Sequence, residues 1–246
     1  MSNPFHQRES LDRPIDVPQL TAEQILARVL HRDGLMLVID KPAGLPVHRG
    51  PKGGPNLEAS FDALRFGLPR PPVLAHRLDK DTSGCLVLGR HRKATASLGL
   101  LFKHGKISKT YWAIVEGGPA ADEGTIDMPL GRLNAERGWW QKVDPEGQQA
   151  VTNWKVMGRG EGLTWVALEP VTGRTHQLRV HSSAQGWPIF GDNIYGNGPR
   201  FGEPRLHLHS REIGIPISKN KEPVRVVAPA PEHMRERLRA CGWNGE

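Results

Sequence analysis

The stretch 76-HRLDKDTSGCLVLGR-90 joins a dense polar cluster to an apolar run. Its first nine residues hold two arginine or lysine side chains, two carboxylates, two hydroxyls and a glycine. The six that follow, Cys85 to Arg90, read as a buried strand. A chain that places charge immediately before a core strand builds either an exposed turn or a site held at a strand end. If His76–Gly84 is extended, Arg77, Asp79 and Asp81 share one face. A solvated turn with a surface ion pair is the competing reading, and such a pair contributes at most about 1 kcal/mol.

Working outward, the pattern is of many short strands punctuated by Gly and Pro. Leu35–Ile39 reads as a strand stopped by Pro42 and Gly44. Strand patterns recur in SKTYWAIVEGG (108–118), GTIDMPLGR (124–132), AVTNWKVMGR (150–159), GLTWVALEP (162–170), RLHLHSREIGI (205–215) and PVRVVAPAP (223–231). Helical periodicity is confined to LTAEQILARVL (20–30), capped by Thr21, to RKATASLGLLFKHG (92–105), to the segment following TGRTH, capped by Thr172 or Thr175 and ended by Gly186 and Pro188, and to a basic terminal helix starting at Pro231. The expected fold is α+β: a mixed, largely antiparallel sheet with helices packed on it, because strand–helix alternation is too irregular for a doubly wound parallel sheet. Residues 1–20, with three prolines and little periodicity, read as an extended arm. Residues 21–246 read as one domain.

The totals narrow the function. The 246 residues carry a formal net charge of +7 and a pI near 9.7, which favours a polyanionic partner. Two cysteines, Cys85 and Cys241, suffice for neither a disulfide framework nor a four-thiolate zinc site, and suit a reduced, cytoplasmic setting. No apolar stretch approaches the roughly 20 residues that span a membrane. His207 and His209 alternate in RLHLHS, but no carboxylate or cysteine spacing nearby supports a metal site. Basic stretches at 48–54, 90–93, 103–109 and 235–239 are candidate RNA-facing surfaces or ordinary solvated charge.

Two further segments bear on chemistry. In 173-GRTHQLRVH-181, Arg174 lies at a strand-to-helix turn, where side chains often line sites, and Gln177 and Arg179 follow in the first helical turns. Arginine stays charged and can clamp a carboxylate with two nitrogens; a solvated basic helix face is the plainer reading. In SKTYWAIVEG, Tyr111 is one of two tyrosines and could pack in the core or face a site.

Taken in order, HRLDKDTSGCLVLGR, SKTYWAIVEG and GRTHQLRVHSSAQGWPIFGDNIYG resemble the central motifs of the RluA-type pseudouridine synthases. LMLVIDKPAGLPVH resembles that family's opening strand, and RLHLHSREIGI and VVAPAPEHM its C-terminal strands. The resemblance runs over roughly residues 25–235. It implies isomerisation of uridine to pseudouridine in ribosomal or transfer RNA by a monomer, without metal, nucleotide or organic cofactor. It assigns the catalytic aspartate to Asp79, the active-site tyrosine to Tyr111 and the motif arginine to Arg179. Arg77, His76, Leu178, Arg174 and Gln177 become candidate substrate contacts, with Arg77 near the RNA stack and Leu178 and Val180 as apolar wall. Arg179 is then the expected cation against Asp79, and Asp81 a turn residue. The chain departs from the family at Cys85, where Leu, Val or Ile is usual. The polar residues at its start also do not match the S4-type RNA-binding domain that opens many relatives.

Overall fold

A computed structural model describes residues 17–50, 53–134, 139–218 and 220–245. Residues 1–16 of the expected arm and residues 51–52 of the basic stretch 48–54 lie outside that range. Residues 17–20 do not form an arm: Val17 and Leu20 pack on the core, and the Gln19 amide donates to Asn56 O (2.9 Å) and Ser60 Oγ (2.7 Å).

The principal sheet is mixed and mostly antiparallel. Its strands are β1 (Val29–Arg32), β2 (Met36–Lys41), β3 (Val73–Leu74), β4 (Ser83–Gly89), β5 (Ser108–Glu116), β6 (Glu123–Asp127), β9 (Val151–Gly160), β10 (Leu163–Pro170), β11 (Leu208–Ile215) and β12 (Val224–Val227), and β7 (Leu130–Arg132) with β8 (Gln141–Val143) makes a separate hairpin. The path runs β1-β2-β4-β11-β5-β10-β9-β6, with β3 paired to β4 and β12 to β11. Only β4 and β11 run parallel among these pairs. The helices are α1 (Ala22–Leu26), α2 (Arg92–Lys103), α3 (Gln177–Ala184) and α4 (Glu232–Ala240), and a 3-10 segment covers Glu58–Leu64.

Strand β4, the run that opened the reading, is buried at every residue. Leu86 and Leu88 join Ile39, Leu45, Leu57 and Phe61 on one face, while Cys85 and Val87 join Met36, Val38, Leu98 and Ile213 on the other. A strand covered on both faces has no polar side to alternate with, which is why the sequence there is continuously apolar. Gly84 is required at its start: its φ is +103°, and a Cβ would lie 2.2 Å from the Ser210 carbonyl of β11.

Two expected helices differ in detail. The segment 20–30 forms only one short helix, because Val29 leaves the helical pattern to pair with Ile39 across β1–β2. Pairing with a buried strand gains more than continuing an isolated helix of marginal length. The Thr21 capping box is present as expected. Helix α3 is capped by neither Thr172 nor Thr175; its N-cap is His176, in the left-handed conformation at φ 54°. The Thr172 hydroxyl instead donates to Gln177 Oε1 and accepts from Val151 N.

Candidate active site

The polar cluster is a turn rather than a strand. Thr82 N donates to Asp79 O (3.2 Å), so Arg77, Asp79 and Asp81 do not share a strand face. The turn is fixed from below by Lys41, the last residue of β2, which is fully buried. Its ammonium donates to three carbonyls, those of Pro42 (2.9 Å), Lys80 (2.8 Å) and Thr82 (2.8 Å). Three donors meet three acceptors, so the group is hydrogen-bond satisfied. Burial pulls its pKa down to about 7, against the opposing pull of Asp81, Asp79 and Asp40. A lysine at the end of the apolar run LMLVID was the sequence signal for this support, and it went unread.

Asp79 stands where the turn meets α3. A recess of about 170 Å³ is walled by Asp79, Tyr111, His176, Leu178, Arg179 and Lys109, among others. It adjoins a wider cleft of about 920 Å³ that also holds Asp79, His176 and Arg179, with Arg77 and Trp139 at its edge. Arg77 is exposed there. Lys109, which the sequence offered as surface charge, is a recess cation whose pKa burial lowers.

Arg179 lines the same recess as Asp79, whose charge acts on it, but its direct hydrogen bonds go to another carboxylate. Its Nε and one terminal nitrogen bind Asp192 Oδ2 (2.8 Å) and Oδ1 (2.6 Å), and both residues are buried. Asp192 Oδ1 also accepts from Ile194 N and Tyr195 N. Burial opposes the charged guanidinium, but the Asp192 carboxylate outweighs it and holds the pKa up, and the same pairing holds Asp192 low. Among the described residues, the group within ion-pair distance of Asp79 is His176, with Nε2 3.7 Å from Oδ2. His176 lies within GRTHQLRVH, where sequence reasoning assigns it no role of its own.

A hydrogen-bond chain orients that histidine. Gln141 N donates to Tyr195 Oη (2.9 Å), and Tyr195 Oη lies 2.8 Å from His176 Nδ1. Where Tyr195 Oη donates its proton to Nδ1, the neutral imidazole carries its own proton on Nε2, toward Asp79. Burial lowers the His176 pKa more than Asp79 raises it, which keeps the ring neutral near pH 7. The left-handed backbone at His176 is held by these contacts.

The other candidates divide. Leu178 lines the recess, whereas Val180 packs with Leu130 and Ala150 away from it. Gln177 also lines it, but its amide is spent on Val151 O, Thr152 Oγ1, Thr172 Oγ1 and Arg174 N, so it shapes the 172–176 turn. Helix α3 is therefore no solvated basic face; Gln177 to Ser182 are all buried. Arg174 is exposed at the rim, its Nε on Gln149 O (3.0 Å). His76 lies outside these cavities: it stacks on Phe102 at 4.1 Å and accepts from Val87 N (3.0 Å), and burial drives its pKa down to about 3. Tyr111 sits where two core clusters meet, and burial raises its phenol above the ordinary value. Among the described residues no three His, Cys, Asp or Glu side chains are arranged to hold a metal ion. His209 Nδ1 is engaged by Ser83 Oγ (2.9 Å) and His207 Nδ1 by Arg205 O (2.7 Å).

The mixed sheet and the recess at Asp79 have counterparts among known RNA-modifying proteins. The family model for RNA pseudouridylate synthases matches residues 35–184. An RNA pseudouridine synthase of Zymomonas mobilis is 44% identical over 83% of this chain and 94% of its own length. A Vibrio cholerae protein named ribosomal large subunit pseudouridine synthase C is 32% identical over 85% of this chain and 68% of its own. The solved structure of human RNA pseudouridylate synthase domain containing 4 aligns with a TM-score of 0.74 at 29% identity, over 89% of this chain and 95% of that one. The chain belongs to the RNA pseudouridylate synthase family and is an RNA uridine isomerase.

Proposed function

We propose that this enzyme isomerises specific uridines of structured ribosomal or transfer RNA at Asp79. The observation that carries the reading is the placement of Asp79 at the mouth of the recess, facing His176 and the buried Arg179–Asp192 pair. The target base leaves its stack, at a cost of a few kcal/mol, and enters the recess beside Tyr111 and Leu178. Arg77, exposed at the edge, occupies the space the nucleotide leaves. The C1′–N1 bond breaks, the base turns, C5 bonds to C1′, and the proton lost from C5 is matched by one gained at N1. Asp79 acts as a carboxylate, as nucleophile or as proton acceptor. Arg179 supplies fixed positive charge through its pair with Asp192, and His176 directs an N–H at Asp79. Tyr111, kept protonated by its surroundings, packs against the base as a neutral phenol. The chemistry uses side chains alone.

The reading also places the enzyme in the cytoplasm as a monomer. Both cysteines are buried free thiols, as a reducing compartment allows, and sedimentation of the purified chain checks the monomer. The activity is tested by incubating the protein with total RNA from a strain lacking it and mapping pseudouridine chemically. Wild-type protein should restore discrete positions, and Asp79→Asn should restore none while still binding RNA. Equal activity in the variant removes Asp79 from the mechanism, and comparison with the parent strain's map names the uridines.

A further inference from the structure

Of the seven tryptophans, Trp139 alone is more than half exposed, at 58%. It sits in the connection between β7 and β8, at the mouth of the cleft that holds Asp79. An indole left in water at a cleft mouth is an unusual use of the largest apolar side chain. Its ring meets Trp140 at 5.6 Å and His176 at 5.4 Å, both edge-on, at 84° and 88°. Neither contact is a stack, and among the described residues no ring covers it face to face.

Trp139 belongs to two depressions. One is the Asp79 cleft; the other is a groove of about 540 Å³ on the far side, walled by Arg77, Arg132, Arg174 and Glu146. Among the described residues, three arginines against one glutamate leave that groove cationic. Arg132 and Arg174 are exposed, and the bond from Arg174 Nε to Gln149 O holds its guanidinium at the wall. Trp139 and Arg77 thus form the ridge between a cleft for the reacting base and a cationic channel beside it.

We infer that this second groove is a subsite for the nucleotide adjoining the target. Its base stacks on Trp139, and its phosphates lie between Arg132 and Arg174. Bases inside a duplex are already stacked on their neighbours, so a side-chain platform is useful only to an unpaired one. The selected uridine therefore lies in a loop, bulge or single strand with an unpaired neighbour. This rests on the chain acting on RNA uridines, and it adds the local structure that the enzyme selects.

The test compares single-stranded octauridylate with the same octamer paired to octaadenylate, using wild-type protein, Trp139→Ala, Trp139→Phe and the double variant Arg132→Gln/Arg174→Gln. Trp139→Ala should weaken binding of the single strand roughly ten- to hundredfold, as loss of one stacked base does. Trp139→Phe should retain most of the affinity, and duplex binding should be weaker throughout and insensitive to residue 139. The arginine double variant should flatten the salt dependence for the single strand by about 1.4 in log–log slope, or about 0.7 for each lost phosphate contact. Thermal melting should be unchanged in Trp139→Ala, since the side chain is exposed. Unchanged single-strand affinity in Trp139→Ala, or an equal loss on both RNA forms, overturns the subsite. Pseudouridine mapping with wild-type protein separates that failure from failure of the activity: an active enzyme whose affinity ignores Trp139 lacks only the subsite.

Discussion

At the scale of single residues, the site turns on which charge faces which. The bidentate Arg179–Asp192 pair is buried on both sides. Removing one partner leaves the other charge stranded in the interior, a cost of about 3–5 kcal/mol. Arg179→Leu should therefore lower unfolding free energy by that amount in urea titration, in addition to any loss of turnover. A variant as stable as wild type would show that Asp192 is not held by this arginine. That Asp79, Tyr111 and Arg179 come together around one recess was legible because each stands in an ordered motif. The contact between His176 and Asp79 was not, because it joins two segments far apart in the chain and depends on a left-handed backbone that capping rules do not anticipate.

At the scale of elements, strand ends do the positioning. Strand β4 delivers the turn bearing Asp79, and α3 delivers His176, Leu178 and Arg179 from the opposite side. Between them, Lys41 at the end of β2 ties down the turn's carbonyls. Lys41→Met keeps the length of the side chain and removes all three donors, leaving carbonyls unpaired at about 1–3 kcal/mol each. We expect a stability loss of about 3 kcal/mol by chemical denaturation and at least a tenfold fall in turnover, as Asp79 loses its fixed position. Turnover at the wild-type rate would mean that the turn holds its shape without the lysine. The strands were readable from their apolar runs and Gly/Pro punctuation. The end of α1 was not, since Val29 and Leu30 satisfy a helical period equally well and only pairing with β2 decides against it.

At the scale of the whole molecule, the α+β class followed from the count and spacing of strands, but sheet order did not, because strand partners are chosen by cores assembled from distant segments. The same cores impose an acid limit. Burial holds His76 near 3 and His207 near 4, while both titrate near 6.5 when unfolded. The unfolded chain thus binds more protons in that window, so stability is complete above pH 6.5 and is lost as pH falls through it. Each such histidine contributes a slope of about 1.4 kcal/mol per pH unit. His76→Gln retains an acceptor for Val87 N and cannot titrate, so its stability curve between pH 6 and 4 should be shallower by about that amount. An unchanged slope would assign the acid sensitivity elsewhere.

Both native thiols are sealed in the interior, with burial pushing Cys85 up to about 12 and raising Cys241 as well. The thiolate is the reactive form, so neither competes for a maleimide dye at neutral pH. A single Glu146→Cys substitution would therefore put one fluorophore on the wall of the second groove without prior removal of any cysteine. The wild-type background is already a labelling scaffold, and the arrival of an RNA strand could be followed there in real time.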